Sequence, residues 1–158
     1  MKTLVIYYSY GGNTKRIAEK IHSIVGGDIK EIETVVPYST DYNTVVDQGQ
    51  DEVNKGYMPK IKNLDLNLDE YDKIVIGTPV WWYTFAPAVK TFLNNYSLEN
   101  KTIYPFATNG GWIGHTFKDF VKACPLSEVK KGINIRFDEQ TLKTSMTEIE
   151  NWAKKIIE

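Results

Sequence analysis

The chain has 158 residues and a mass of 18.1 kDa, a size that predicts a single domain spanning residues 1–158. Its 19 basic and 20 acidic residues give a net charge of −1, which argues against nucleic-acid binding and against a polybasic membrane binder. The only cysteine, Cys124, cannot form an intramolecular disulfide. This cysteine count predicts a cytoplasmic protein. No apolar run approaches the roughly 20 residues of a spanning helix, so we expect no membrane segment.

Apolar runs alternate with amphipathic stretches along the chain, a pattern that predicts strands and helices in turn. The predicted strands are 2–8, 28–35, 73–77, 101–108 and 133–137, with a short extended segment at 64–68. The predicted helices are 17–25, about 42–55, 87–93, 117–121 and 142–157, the last capped by Asp138. The first and third strands are apolar runs, as expected when both faces of a strand are buried. The alternation predicts a doubly wound α/β sheet of five parallel strands joined by right-handed crossovers.

In sheets of this kind, ligands bind beyond the carboxyl ends of the strands. The segment Ser9–Thr14 follows the first strand and leads into a helix, so hydroxyls, glycines and free helix amides come together there. It matches neither the G-x-x-x-x-G-K-[ST] nor the G-x-G-x-x-G pattern, which disfavours a nucleoside triphosphate and a dinucleotide. The loop therefore predicts a site for one phosphate; alternatively, it is a simple turn in which Asn13 caps the helix.

Two further loops follow the third and fourth strands. Residues 78–83 form a predicted loop with three consecutive large aromatic side chains, at least one of which should be exposed and mark a partner or a flat ligand. The alternative is that Trp81 and Trp82 fill a gap between helices. Residues 108–112 combine two glycines with Trp112, and freed backbone amides there could bond the edge of a heterocycle. His115 lies close by and is a candidate for tuning a ligand or donating a proton.

These segments resemble the flavodoxin family. Residues 5–14, followed by Ala18 and Ile21, match the flavodoxin signature, and residues 76–83 are similar to the second flavin loop of that family. The resemblance implies the strand order 2-1-3-4-5 and one non-covalent FMN, with its phosphate in the first loop and its isoalloxazine between the other two. The implied cofactor-binding residues are Ser9, Tyr10, Gly11, Gly12, Asn13, Thr14, Thr78, Pro79, Val80, Trp81, Trp82, Tyr83, Thr108, Asn109, Gly110, Gly111 and Trp112.

The chain departs from the electron-carrying flavodoxins in three ways. It lacks their strong acidity, it lacks a glycine between Thr78 and Thr84, and its third loop lacks their Gly-Asp pair followed by a stacking Tyr. Two activities therefore stay open: an electron carrier between redox proteins, and an FMN-dependent NAD(P)H:acceptor reductase of the quinone type. The expected partner is accordingly a redox protein or a small-molecule acceptor, and no catalytic residue is assigned.

Two alternatives of other classes have less support. A phosphorylation-type receiver domain needs clustered aspartates after the first and third strands, where this chain has Ser9 and Thr78. A flavin-free interaction domain would not need the hydroxyl- and glycine-containing first loop. No group of His, Cys and carboxylate residues has the spacing of metal ligands.

Overall fold

The computed structural model describes residues 1–158 and contains eight strands and five α-helices. The strands are β1 (Lys2–Tyr7), β2 (Asp28–Glu31), β3 (Tyr71–Trp81), β4 (Thr84–Phe85), β5 (Thr102–Asn109), β6 (Glu128–Val129), β7 (Ile133–Asp138) and β8 (Thr141–Leu142). The helices are α1 (Asn13–Val25), α2 (Tyr42–Lys55), α3 (Pro87–Asn95), α4 (Thr116–Ala123) and α5 (Met146–Ile156), and Leu68–Glu70 forms a 3₁₀ turn. No helix is long and apolar enough to cross a membrane.

The sheet has the order β2-β1-β3-β5-β7-β8, in which the first five strands are parallel and β8 pairs antiparallel with β7. Counting only the five strands predicted from the sequence, this order is 2-1-3-4-5, which confirms the predicted fold. Strand β6 pairs with the beginning of β5, and β4 folds back on the end of β3. The carboxyl ends of β1, β3 and β5 therefore lie side by side.

Successive residues of the central strands face two separate apolar layers, because side chains alternate along a strand. In β1, Leu4 and Ile6 pack into one layer, while Val5 and Tyr7 pack into the other. Within the second layer, the Phe106 ring of β5 lies over Gly77, its register partner on β3, and a Cβ on Gly77 would lie 2.1 Å from that ring. Both faces of the central sheet are thus covered, as the continuous apolar runs predicted.

Several predicted boundaries are wrong, each for a local reason. The strand predicted over 28–35 ends at Glu31, and Thr34 makes only a single antiparallel bridge to Ile61. The extended segment predicted at 64–68 is interrupted by Asn67, whose side chain accepts from Asp69 N and opens the 3₁₀ turn.

The last helix also begins later than predicted. Ser145 caps it by accepting a hydrogen bond from Glu148 N (3.1 Å), so Asp138 is not its cap and instead ends β7. Leu142 belongs to β8. The apolar repeat alone could not separate a two-residue strand from the first turn of the following helix.

Candidate functional site

A cavity of about 860 Å³ opens at the carboxyl ends of β1, β3 and β5. It brings together parts of all three predicted loops: Tyr10, Gly11, Asn13, Pro79, Val80, Trp81, Trp82, Thr108, Asn109 and Gly110. Its volume lies in the range of small-molecule and cofactor sites. The complete lining contains one carboxylate, that of Glu139, and no lysine or arginine.

The first loop reverses direction between β1 and α1 through two glycines. Gly11 and Gly12 have φ angles of 81° and 98°, a backbone conformation that few side chains tolerate. Helix α1 begins directly afterwards at Asn13 and has no side-chain N-cap, so the predicted capping by Asn13 is wrong. Its first-turn amides lack partners within the helix, and they carry the positive end of the helix dipole. This arrangement suits an anion held by backbone amides.

Two threonines connect the first and third loops beneath the cavity. The hydroxyls of Thr14 and Thr108 lie 2.7 Å apart in a buried hydrogen bond, and the two residues are 1% and 5% exposed. Only one of their two protons is used in this bond, because either hydroxyl can be the donor. The second proton remains available to a ligand or another acceptor.

The second segment is a hairpin, so the loop predicted over 78–83 is wrong. Strand β3 continues to Trp81, which pairs with Thr84 of β4, and Trp82 and Tyr83 form the two-residue turn. Both turn residues have positive φ angles, 48° and 73°. Hairpins use this turn because its twist matches that of the strands, but Asn-Gly is its usual sequence. The hairpin places Trp82 on the cavity wall and leaves Tyr83 43% exposed.

Trp81 belongs to a cluster of aromatic rings and also lines the cavity. Its ring makes edge contacts with Tyr8, Tyr10 and Tyr38, at centroid distances of 5.8, 6.1 and 5.0 Å. Trp82 is held differently, since its indole Nε1 donates to Val46 O on α2 (2.9 Å). Trp81 therefore packs against other side chains, as the gap-filling alternative expected, but it also lines the cavity. Trp82 lines the cavity as well.

A buried carboxylate supports this aromatic cluster from the side of α2. Glu52 is 6% exposed and accepts hydrogen bonds from the Tyr38 hydroxyl (2.6 Å) and from Gln48 Nε2 (2.8 Å). Burial, together with the neighbouring Glu52, raises the pKa of Tyr38, and burial also raises that of Tyr8. Both phenols therefore stay neutral well above their ordinary titration range.

The third loop is organised by Asn109. Its side-chain oxygen accepts from Gly111 N (3.0 Å), and its amide donates to Asn134 Oδ1 (2.5 Å). Gly110 lies on the cavity, whereas the Trp112 ring turns away to contact Tyr83 at a centroid distance of 4.5 Å. Trp112 is 65% exposed, so this pair forms an aromatic rim beside the cavity.

Seven of the predicted site residues do not line the cavity: Ser9, Gly12, Thr14, Thr78, Tyr83, Gly111 and Trp112. Ser9 Oγ accepts from Lys15 N (3.1 Å). Thr78 is fully buried, and its hydroxyl accepts from Ala86 N (3.0 Å) and donates to Pro79 O (2.8 Å), which anchors the hairpin. Thr78 thus acts on the site through the backbone of Pro79.

Two walls of the cavity were missed by sequence reasoning. Helix α2 contributes Tyr42, Val45, Val46 and Gly49, and β7 and its turn to β8 contribute Phe137, Glu139 and Gln140. The turn is tied to the first loop, because Asn13 Nδ2 donates to Glu139 O (2.8 Å). A Cβ on Gly49 would lie 3.2 Å from the Trp81 ring, so a small residue there lets α2 approach the hairpin. In the sequence, the feature that pointed to the α2 wall was Gly49, a glycine in the middle of a predicted helix.

A family model for flavodoxin matches residues 2–156, nearly the whole chain. The chain belongs to the flavodoxin family. A candidate flavoprotein from Bacteroides eggerthii is 35% identical, with a TM-score of 0.83 and coverage of 99% of this chain and 98% of that one. A flavoprotein from Lactobacillus acidophilus, solved in complex with FMN, is 28% identical, with a TM-score of 0.77 and coverage of 97% and 99%.

One curated relative gives a more limited match. The uncharacterized NAD(P)H oxidoreductase YcaK of Escherichia coli (strain K12) is 28% identical over 86 residues, which are 51% of this chain. The matched region spans only 43% of that relative.

Proposed function

We propose that this flavodoxin-family chain binds FMN non-covalently in the cavity and transfers electrons through it. The proposal rests on one observation: the N-terminus of α1, whose backbone amides suit an anion, lies at a cavity of about 860 Å³ that is walled by two tryptophans. The FMN complex of the Lactobacillus relative supports the choice of cofactor. When bound, the flavin supplies one- and two-electron redox chemistry, and the protein supplies its placement.

The residues present fit a flavin monophosphate. The Asn13 and Thr14 amides at the start of α1 and the loop at Gly11 and Gly12 would hold the phosphate, since the cavity lining contains no basic side chain and Lys15 N is already bonded to Ser9 Oγ. Trp82 would contact the ring system, and its orientation is fixed by the bond to Val46 O. Backbone groups of Asn109 and Gly110 would meet the polar edge of the ring. A dinucleotide is not expected, because the dinucleotide fingerprint is absent.

The test is a titration of the apo-protein with FMN, FAD and riboflavin, followed by flavin fluorescence. We expect FMN to bind most tightly, because riboflavin cannot use the helix start. Asn13→Asp adds a negative charge beside that helix start and should weaken FMN binding at least tenfold, with riboflavin binding changed by less than threefold. Asn63→Asp makes the same charge change in a distant exposed loop and serves as the control. Equal affinity for FMN and riboflavin would refute the phosphate site.

A second candidate function is an FMN-dependent NAD(P)H:acceptor reductase. The partial match to an NAD(P)H oxidoreductase favours this function over that of a protein-to-protein carrier. The net charge of −1 also favours it, because so small a charge provides little electrostatic attraction toward basic redox partners. Anaerobic mixing of the FMN-loaded protein with NADH or NADPH separates the two functions. Bleaching of the flavin absorbance on a catalytic timescale supports the reductase. A cytoplasmic location is proposed with either function, on the basis of the single free cysteine.

A further inference from the structure

The last parallel strand, β7, has one open edge along its first half. On one side it pairs with β5 over Ile133–Arg136, and on the other side it pairs with β8 only at its last two residues. Arg136 N points to that second side, where it donates to Thr144 Oγ1 (2.8 Å). Backbone groups of alternate residues face the same side of a strand, so the N–H and C=O of Asn134 also point outward. No strand or loop of the chain bonds them there.

Two cavities flank this open edge, one on each face of the sheet. A cavity of about 560 Å³ lies against α4, on the face where Phe120 packs into the core. A second cavity of about 880 Å³ lies against α5, on the face where Ile149 packs into the core. Residues 130–133, which lead into β7, line both cavities. A strand added at the edge would therefore direct alternate side chains into the two cavities.

The lining of the two cavities is basic, although the whole chain has a net charge of −1. Together the cavities are lined by four lysines and two glutamates. Lys130 forms an ion pair with Glu128 (2.6 Å). The other three, Lys118, Lys131 and Lys155, are exposed and take part in none of the chain's ion pairs. Lysines beside an open edge repel a second copy of that edge, and they attract carboxylates.

We propose that the open edge of β7 and its two cavities bind an extended acidic segment of a partner protein by strand addition. Main-chain hydrogen bonds at Asn134 extend the sheet by one strand, and the lysines pair with acidic side chains of the segment. The α4 cavity is lined by four apolar side chains, including Phe117 and Val121, and it fits apolar residues. The α5 cavity adds Lys155 and three uncharged polar side chains. The preferred segment therefore alternates apolar and acidic residues.

The edge lies apart from the cavity at the carboxyl ends of the strands. Phe137 of β7 lines that cavity, whereas Ile133 lines the two cavities at the edge. Four residues of a strand span about 13 Å. A segment bound at the edge leaves the other cavity open, so this inference does not depend on the binding of FMN.

The test measures binding of a fluorescein-labelled peptide to the purified chain by fluorescence anisotropy at low salt. The peptide has five residues, in which three glutamates alternate with two valines. A scrambled peptide of the same composition, with the glutamates contiguous, should bind at least tenfold more weakly. Two further versions carry N-methyl groups either on the glutamates or on the valines, which block opposite edges of an extended peptide. Only one of these two should lose binding, because only one edge of an added strand faces β7.

A pair of variants at one position tests the main-chain bonds. Asn134→Pro removes the outward N–H, a change that edge strands tolerate, and Asn134→Ala removes the same side chain but keeps the N–H. The proline variant should bind the alternating peptide at least tenfold more weakly than the alanine variant. Circular dichroism and thermal unfolding show whether both variants are folded. The N-methylated peptides test the same bonds without any change to the protein.

Charge reversal tests the lysines. Lys131→Glu combined with Lys155→Glu should weaken binding about tenfold, and the loss should shrink as the salt concentration rises. Lys60→Glu combined with Lys62→Glu is the matched control. It makes the same charge change in the segment that pairs next to β2, at the other edge of the sheet, and it should change binding by less than twofold.

The inference is overturned if the wild-type chain does not bind the alternating peptide at about 1 mM, or if the scrambled peptide binds equally well. It is also overturned if the two N-methylated peptides behave alike, or if the K131E/K155E chain binds as tightly as the K60E/K62E control. Sedimentation gives one more outcome. A wild-type dimer that K131E/K155E converts to a monomer would make the edge an interface between two copies, which also overturns the acidic partner.

Discussion

The buried hydrogen bond between Thr14 and Thr108 joins the first loop to the third loop, and its contribution to stability can be estimated. Thr14→Val keeps the shape of the side chain but leaves the Thr108 hydroxyl, which is 5% exposed, without its partner at 2.7 Å. An unsatisfied buried hydroxyl costs about 1–3 kcal/mol, so each single valine variant should lower the free energy of unfolding by that amount.

The double variant tests the reasoning, because replacing both partners leaves no orphaned hydroxyl. We expect Thr14→Val combined with Thr108→Val to cost clearly less than the sum of the two single changes, with a coupling energy of about 1 kcal/mol. Denaturant unfolding of the apo-proteins measures this coupling energy, and each single variant should lower Tm by about 2–12 °C. Strictly additive losses would refute the claim that the two hydroxyls satisfy each other. In the arrangement in which Thr108 is the donor, the Thr14 hydroxyl keeps its proton for the phosphate, and Thr14→Val should then weaken FMN binding roughly tenfold.

Gly77→Ala places a methyl group 2.1 Å from the Phe106 ring and should lower the free energy of unfolding by about 1–3 kcal/mol. Gly110→Ala is the control, since its methyl group would have no neighbouring atom closer than 4.0 Å, and it should be nearly neutral in denaturant unfolding. Both Tyr83→Val and Tyr83→Asn remove the ring, but a β-branched valine disfavours the φ of 73° at this position and asparagine tolerates it. The free energy of unfolding of Tyr83→Val should therefore be about 1 kcal/mol lower than that of Tyr83→Asn. The raised pKa of Tyr38 keeps its phenol protonated in the folded state at high pH. In the unfolded state the phenol ionises above about pH 10, so the free energy of unfolding should fall as the pH rises beyond that value. Tyr38→Phe should flatten that fall in unfolding curves collected at successive pH values, and an unchanged slope would show that Tyr38 titrates normally.

The sheet could be predicted from the sequence because its signals are local and agree with one another. Buried runs such as residues 2–8 predict strands without reference to the rest of the chain, and the first loop combines a turn signal with a helix start. The order of elements then restricts the topology to a few choices. The fold and the family were confirmed on this basis, and ten of the predicted site residues lie on one cavity.

The walls contributed by α2 and by the β7–β8 turn could not be predicted in the same way. Helix α2 was predicted over its observed span, but its sequence does not say which loop its apolar face will meet. That contact depends on the close approach at Gly49 and on the indole bond from Trp82 to Val46 O, which join segments more than thirty residues apart. The Glu139–Gln140 turn is brought to the site only by the pairing of β7 with β5.

The hairpin at Trp82 and Tyr83 shows why a local rule failed at the site itself. A turn with two positive φ angles is normally recognised by Asn or Gly, and two large aromatic residues give no such signal. Strain of this kind persists only where the surroundings determine the conformation. Here α2 holds the first residue through Val46 O, and the segment before α4 holds the second through His115 N. The strained turn keeps one aromatic ring on the cavity wall and the next on the rim, an arrangement that a relaxed Asn-Gly turn would not provide.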